Sequence, residues 1–217
     1  MYKIIIMCGG EYEHFKQHKA LSVINGETLL DRTIRLLKEN GIEEVYISAT
    51  DPIFDKYTNV LHHNNTYKYK DGKQHGYWVD AYYPTNEPTI YLHGDVYYTS
   101  SAIKKILNLN PSVNTFIGNQ YALNEAKAKV GEPFGWIIVD TEKFHKAIEE
   151  TKRLQDEGKT DRMPVSWELY QVLNGNDVNG FDISTDTYLA IYDETIDIDS
   201  PEQIEILEKK VSENNGI

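Results

Sequence analysis

Three groups of residues in this chain have the types and spacing to handle a polyphosphate. An apolar run at the start of the chain, Tyr2-Lys-Ile-Ile-Ile-Met-Cys8, stops at the pair Gly9-Gly10, and a lysine, Lys19, follows. Glycines after a strand let another group come close to backbone N–H groups, and ligands bind open α/β sheets in the crevice outside the strand ends. Lysine adds a compact positive charge. The third group is acidic: Asp95 directly after Gly94, and the pair Asp197 and Asp199. Mg²⁺ is held by one or two carboxylates while it keeps some of its water and takes phosphate oxygens. On a strand Asp197 and Asp199 share a face, and their mutual repulsion is relieved either by a bound cation or by solvent. Taken singly, each group has an ordinary reading. Gly9-Gly10 alone is a tight turn, Lys19 alone a solvated lysine, and Asp95 alone a turn or cap residue. The combination points to a polyphosphate and its cation.

Elements are needed to hold these groups in place. The opening run is too short for a membrane span and reads as a strand buried on both faces of a parallel sheet. Glu27 to Asn40 places Leu30, Ile34 and Leu37 on one side of a helix, with Gly41 at the position past its end where positive φ is required. Glu44 to Ser48 is the second strand, so the first fifty or so residues form a right-handed β-α-β unit. A short strand around Asn59 to His62 and a polar, tyrosine-rich loop to Gly76 follow, then a helix over Trp78 to Tyr83. Pro88 to His93 is a buried strand that ends at Gly94-Asp95. Thr99 or Ser100 caps a helix through Leu107 with Ile103, Ile106 and Leu107 on one face. Further strands are expected at Val113 to Gly118, Gly135 to Val139 and Thr187 to Tyr192. Helices are expected at Thr141 to Glu157 and Pro164 to Asn174, with Lys159 to Arg162 as an exposed loop between them. Ser200-Pro-Glu-Gln203 has the form of a capping box that starts a last helix. Strands and helices alternate, which predicts an α/β fold: one domain, a mostly parallel twisted sheet with helices on both faces.

Composition narrows the partners. The 217 residues carry a formal net charge of −12, which disfavours nucleic acid because phosphate backbones recruit basic surfaces. A small anionic substrate remains compatible where a divalent cation mediates the contact. The single cysteine, Cys8, excludes an internal disulfide and fits a reducing cytoplasm. Tyr2 to Met7 has neither the length nor the cleavage site of a signal peptide, and no membrane partner is expected. Monomer and homodimer are both compatible with the sequence. His14 and His18 stand four apart, yet their surroundings do not read as helix and no third ligand is evident, so zinc is rejected. His62, His63, His75 and His93 read as polar or core histidines. Trp136 and Trp167 fit either a core or the wall of an acceptor pocket.

In their order along the chain these pieces resemble the nucleoside-triphosphate transferases that activate sugar phosphates, choline phosphate and related acceptors. Lys19-Ala-Leu-Ser-Val-Ile-Asn-Gly-Glu-Thr-Leu-Leu30 is similar to the family's lysine followed by NGxxLL, and Gly41-Ile-Glu-Glu-Val-Tyr-Ile47 to its GIxxVxI. Leu92-His-Gly-Asp95 looks like the strand that ends in a metal-binding aspartate. Ile196-Asp-Ile-Asp-Ser-Pro-Glu202 resembles the closing DIDTPED of cytidylyltransferases. The resemblance implies a Rossmann-like nucleotidyltransferase domain over 1–217, with nucleotide bound mainly by 1–120 and the acceptor and metal completed by 121–217. It implies Lys19 as the catalytic cation and Cys8, Gly9, Gly10, His14, Lys19 and Gly76 around the nucleotide. Gly76 enters because His75 to Ala81 looks like the glycine-led turn beside the nucleobase. Asp95, Asp197 and Asp199 would hold Mg²⁺. The implied reaction joins a nucleotidyl group, from CTP in the first instance, to a phosphorylated sugar, polyol or choline-like acceptor for a surface polysaccharide, and releases pyrophosphate.

The loop after Gly10 departs from that pattern. Where the family has a further glycine and an arginine, this chain has Glu11-Tyr-Glu-His-Phe-Lys16, which puts His14 at the arginine position, with Lys16 nearby. Two other readings compete. A glycosyltransferase on the related sheet architecture would use Asp-x-Asp, but Asp95-Val-Tyr97 lacks the second aspartate and Lys19 is left unexplained. A nucleotide-binding module without catalysis would tolerate Glu11 and Glu13.

Overall fold

Residues 2–9, 15, 18–119 and 132–214 are described by the structure, a computed structural model. The opening strand β1 (Lys3–Cys8) is buried along nearly its whole length, as a run of apolar residues without polar alternation requires. A short 3-10 turn at Lys19–Leu21 leads into a hairpin, β2 (Val23–Ile24) and β3 (Glu27–Thr28). Helix α1 (Leu29–Glu39) begins after Thr28, whose side chain accepts the backbone N–H of Asp31. It therefore starts two residues later than the apolar spacing predicts, and Gly41 takes φ +82° past its end. Strand β4 (Tyr46–Ala49) then pairs in parallel with β1.

A 3-10 turn at Pro52–Phe54 and β5 (Val60–Leu61) follow. The segment expected to be a polar loop contains a second hairpin, β6 (Lys68–Lys70) and β7 (Lys73–His75), closed by Asp71 and Gly72 at positive φ. The expected helix at Trp78 is one 3-10 turn, Trp78–Ala81. Strand β8 (Thr89–His93) is wholly buried, and a two-residue strand, β9 (Val96–Tyr97), follows it. Helix α2 (Ser100–Asn108) is capped by Thr99, and β10 (Thr115–Asn119) comes next.

Strand β11 (Pro133–Ile138) leads into α3 (Thr141–Asp156) and α4 (Ser166–Leu173). Pro164 lies outside α4, because the Glu168 side chain accepts the N–H of Val165 at 2.9 Å and fixes the start at Ser166, two residues later. Strands β12 (Tyr188–Ile191) and β13 (Ile196–Asp197) precede α5 (Pro201–Asn214). The capping box at its start is present. Gln203 Oε1 accepts the N–H of Ser200 at 2.9 Å, and the N–H of Gln203 donates to Ser200 Oγ at 3.4 Å.

Seven strands form the central sheet in the order β12-β10-β11-β8-β1-β4-β5. All neighbours are parallel except β11, which runs antiparallel to both β10 and β8. Alternate residues of β1 feed opposite cores. Ile4 and Ile6 pack with Leu36 and Leu37 of α1 and Ile103 and Ile106 of α2. Ile5 and Met7 pack with Phe144 of α3 and Leu169 and Tyr170 of α4. Helices thus cover both faces, and the fold is the mostly parallel α/β class that the alternating pattern predicts. The last helix lies outside this sandwich, closing Leu207 over Ile24, Leu29, Tyr97 and Ile198. Among the described residues no helix is long and apolar enough to cross a membrane.

Candidate functional site

The ends of β1 and β8 meet at a point where no side chain fits. The N–H of Gly94 donates to Met7 O at 2.9 Å, and a Cβ on Gly94 would stand 2.6 Å from that oxygen and 2.7 Å from Cys8 Sγ. Glycine at this position lets β8 close on β1, and Asp95 emerges directly beside the end of β1. Its backbone carbonyl then accepts the N–H of Ile198 at 3.0 Å, while β13 pairs with β9 in the register Asp197↔Val96. Carboxylates about a hundred positions apart in sequence are brought to one place by this small antiparallel pair. Gly9 borders the same place, and a Cβ there would press on Asn65 Nδ2 at 2.8 Å.

Lys19 reaches this cluster from its 3-10 turn. The side chain is 2% exposed, with Nζ 3.1 Å from Asp199 Oδ1 and 3.6 Å from Asp95 Oδ2. Burial by itself lowers a lysine pKa, but here the carboxylates of Asp95, Asp197 and Asp199 outweigh it and hold Lys19 above its ordinary value. Asp197 is pushed well above the usual carboxylate range, first by burial and then by Asp95 and Asp199, with Lys19 opposing. Its Oδ1 is shut off from solvent with no hydrogen-bond partner among the described residues. Asp197 and Asp199 approach Lys19 from unlike surroundings, since Asp199 lies past the end of β13 with its side chain 65% exposed.

The sequence reading did not find Glu132, a half-buried carboxylate beside these aspartates. Burial raises its pKa, the Asn119 side chain and the backbone N–H of Asp197 hydrogen-bond it, and Asp199 adds like charge. No signal marks it in the sequence, because only β11 and β13 coming together gives it this neighbourhood. Among the described residues no group of three carboxylate, imidazole or thiol side chains forms a ready-made cation cage. What is present is paired aspartates and a buried carboxylate oxygen without a partner. That donor set fits a hard divalent cation that arrives with phosphate and water as its remaining ligands.

From this ionic corner a cleft of about 270 Å³ extends outside the ends of the central strands past Gly9, Tyr67, Trp78, His93, Arg162 and Trp167. Behind its far wall, and reaching it through His93, lies a network of buried side chains with satisfied polar tips. Trp136 Nε1 donates to the Tyr82 hydroxyl at 2.9 Å, Tyr82 bonds the Ser166 hydroxyl, and Ser166 Oγ lies 3.2 Å from His93 Nε2. His93 also bonds the backbone of Pro133, and burial lowers its pKa. With its second nitrogen bonded to a carbonyl, a neutral His93 accepts from Ser166, and the hydrogen bonds run in one direction. Arg162, expected on an exposed loop, is 51% exposed and donates from Nε to the buried Glu168 at 2.6 Å. Its guanidinium lines the cleft.

The remaining candidates divide. Gly10 and His14 lie outside the described residues, as do Glu11, Glu13 and Lys16. Cys8 lies in the strand that ends at the cleft, but its side chain is buried in the core with α1 and α2, and burial pushes its thiol pKa up. Gly76 takes φ +71° and has no room for a side chain, since a Cβ would sit 2.2 Å from Thr66 O, and it is not among the residues that line the cleft. Trp136 belongs to the core, whereas Trp167 is both buried and part of the cleft wall. His62 pairs with Asp55 at 2.9 Å at the surface, and His63 bridges Ser48 and the carbonyl of Asp80. His18, considered from sequence only as a zinc partner, lines the cleft, and its Nδ1 accepts the N–H of Ala20 at 3.3 Å.

Comparison with known proteins places this geometry. The family model of the MobA-like NTP transferase domain matches residues 4–110. In sequence, no curated protein matches the chain. Among solved structures, CTP:phosphocholine cytidylyltransferase from Streptococcus pneumoniae is similar at 16% identity and a TM-score of 0.56, over 97% of this chain and 99% of that one. The 2-C-methyl-D-erythritol 4-phosphate cytidylyltransferase of Francisella tularensis is similar at 12% identity and a TM-score of 0.57, over 96% and 99%. A Mycobacterium tuberculosis protein solved in complex with manganese matches at 12% identity and a TM-score of 0.50, over 96% and 97%. At these identities the structural likeness establishes a shared fold.

Proposed function

We propose, from the match of residues 4–110 to the family model of the MobA-like NTP transferase domain, that the chain transfers a nucleotidyl group from CTP to a phosphorylated sugar, polyol or choline-like acceptor. The observation that carries this reading is the buried Lys19 ammonium, 3.1 Å from Asp199 and 3.6 Å from Asp95, in the cleft that Gly9 borders at the end of β1. An oxygen of the acceptor phosphate attacks the α-phosphorus, the bond from that phosphorus to the bridging oxygen of the β-phosphate breaks, and pyrophosphate leaves. Little covalent chemistry falls to the protein, so its work is alignment and neutralisation. Backbone N–H groups of Cys8, Gly9 and Gly10 approach the phosphates, and Lys19 supplies positive charge to them. His14 stays a candidate for the nucleotide's surroundings, whereas Gly76, whose turn packs against Thr66 away from the cleft lining, is not carried into this reading. Asp95, Asp197 and Asp199 would hold a Mg²⁺, which would offset the charge of the triphosphate and of the departing pyrophosphate.

Arg162, Trp78 and Trp167, at the end of the cleft away from the aspartates, form the acceptor side in this reading. CTP is preferred because the closing Asp197-Ile-Asp-Ser-Pro-Glu202 is closest to the cytidylyltransferase pattern, and two solved structures of like fold are cytidylyltransferases. The lone, buried Cys8 suits work in the cytoplasm. The test is pyrophosphate release from each of the four NTPs with Mg²⁺ against sugar phosphates, polyol phosphates and phosphocholine. Release with CTP and one acceptor class is expected. Release with another NTP alone overturns the choice of CTP, and release with none overturns the reaction.

A further inference from the structure

The Lys19 ammonium stands where a cation for Asp95, Asp197 and Asp199 would stand. Its Nζ lies 3.1 Å from Asp199 and 3.6 Å from Asp95, and Asp197, which lines the same corner, has a buried oxygen with no hydrogen-bond partner among the described residues. A divalent cation bonded to these carboxylates would lie within a few ångströms of that ammonium, where two like charges repel strongly in a site shielded from water. Ammonium and metal therefore compete for the same oxygens. The backbone gives no room for retreat, because Leu21 donates to His18 O at 2.8 Å and Ser22 to Lys19 O at 2.9 Å, which locks the turn. Only the side chain can swing. The ring of Phe15, with its centroid 5.6 Å from Nζ, already lies beside the ammonium, so a swing away from the carboxylates can keep a cation–π contact.

We propose that Lys19 has two stations: without nucleotide its ammonium is the resident counter-ion of the aspartates and holds the metal's seat, and a bound triphosphate draws it off so that the divalent cation can enter. Metal and nucleotide then bind as a coupled pair, each raising the affinity for the other. The metal cannot settle on the bare enzyme, and the charge freed by its entry is the charge that grips the phosphates. The nucleotide half of this cycle rests on the nucleotidyltransferase reading, whereas the competition between Lys19 and the metal does not.

Mn²⁺ is the probe, titrated by calorimetry and by the paramagnetic resonance of the free ion into the full chain with no nucleotide present. Wild type is expected to bind Mn²⁺ weakly. Lys19→Gln and Lys19→Met, which remove the charge but keep a long side chain, are expected to bind it at least about tenfold more tightly, within the usual range of a coupling between sites. Lys19→Arg retains the charge and should bind as weakly as wild type. Equal or weaker Mn²⁺ binding by both neutral variants overturns the proposal. Should neither neutral variant fold alone, wild type decides: a single tight Mn²⁺ site in the nucleotide-free protein, lost in Asp95→Asn, overturns it, and the absence of that site supports it. Because these titrations contain no nucleotide, a failure here is separable from a failure of CTP to bind or react.

Discussion

The two ends of the cleft are built on opposite principles. At the ionic end, Asp95, Asp197 and Asp199 crowd Lys19, which pairs with two of them, and one buried carboxylate oxygen has no partner among the described residues. At the aromatic end every polar tip named in the chain from Trp136 through Tyr82 and Ser166 to His93 has a partner. Crowded carboxylates cost stability and are worth keeping where a ligand uses them, since perturbed, desolvated charges cluster at functional sites. A satisfied buried network instead rigidifies the wall against which a ligand is placed. The difference separates the part of the site that does chemistry from the part that holds shape.

That contrast makes predictions that fall in order of size. The largest concerns Asp95→Asn, which keeps shape and removes one charged ligand. Pyrophosphate release should fall by roughly a hundredfold or more, because metal-assisted charge stabilisation is worth several kcal/mol. The melting temperature should hold or rise, since a like charge has been removed from the cluster. An Asn protein that turns over like wild type, or one that unfolds, breaks the contrast from the ionic side.

Ser166→Ala tests the other end. It strips the bonding partner from both Tyr82 and His93, and stranding a buried polar group costs about 1–3 kcal/mol. Urea denaturation should record that loss while CTP affinity stays near wild type. Undiminished stability would show that the network is not the support described above. The smallest effect is expected from Arg162→Gln, at the half-exposed rim. The acceptor KM should rise by roughly tenfold, equivalent to about 1.4 kcal/mol, with CTP binding unchanged. A shift in CTP affinity in place of the acceptor KM would move Arg162 to the nucleotide side.

Much of the scaffold is written locally. The uninterrupted apolar run of β1 and the spacing of Leu30 and Leu37, both buried in α1, are features of neighbouring residues. So is the reciprocal cap between Ser200 and Gln203. Each expresses preferences of short segments, and each stands in the structure as the sequence predicts. The hairpins at Val23–Thr28 and Lys68–His75 escaped because their strands are only two or three residues long. Such segments are too short to show a period of two. The expected helix at Trp78 failed for a related reason, as its apolar residues fill one turn against the sheet and then stop.

By itself, then, the sequence determined the class of fold, the order of its main elements and the chemical types gathered for the site: glycines after β1, one lysine, and aspartates at two distant places. Those follow from local periodicity, caps and residue chemistry. Only the tertiary structure decided that β13 pairs with β9, which carries Asp197 to Asp95, that Glu132 joins them, and that Arg162 turns from a surface loop into the cleft. It also decided that Asp197 keeps a buried oxygen while Asp199 faces solvent. Burial and long-range pairing belong to surfaces that exist only once the chain has folded, and no spacing along the chain encodes the distance between residues a hundred positions apart.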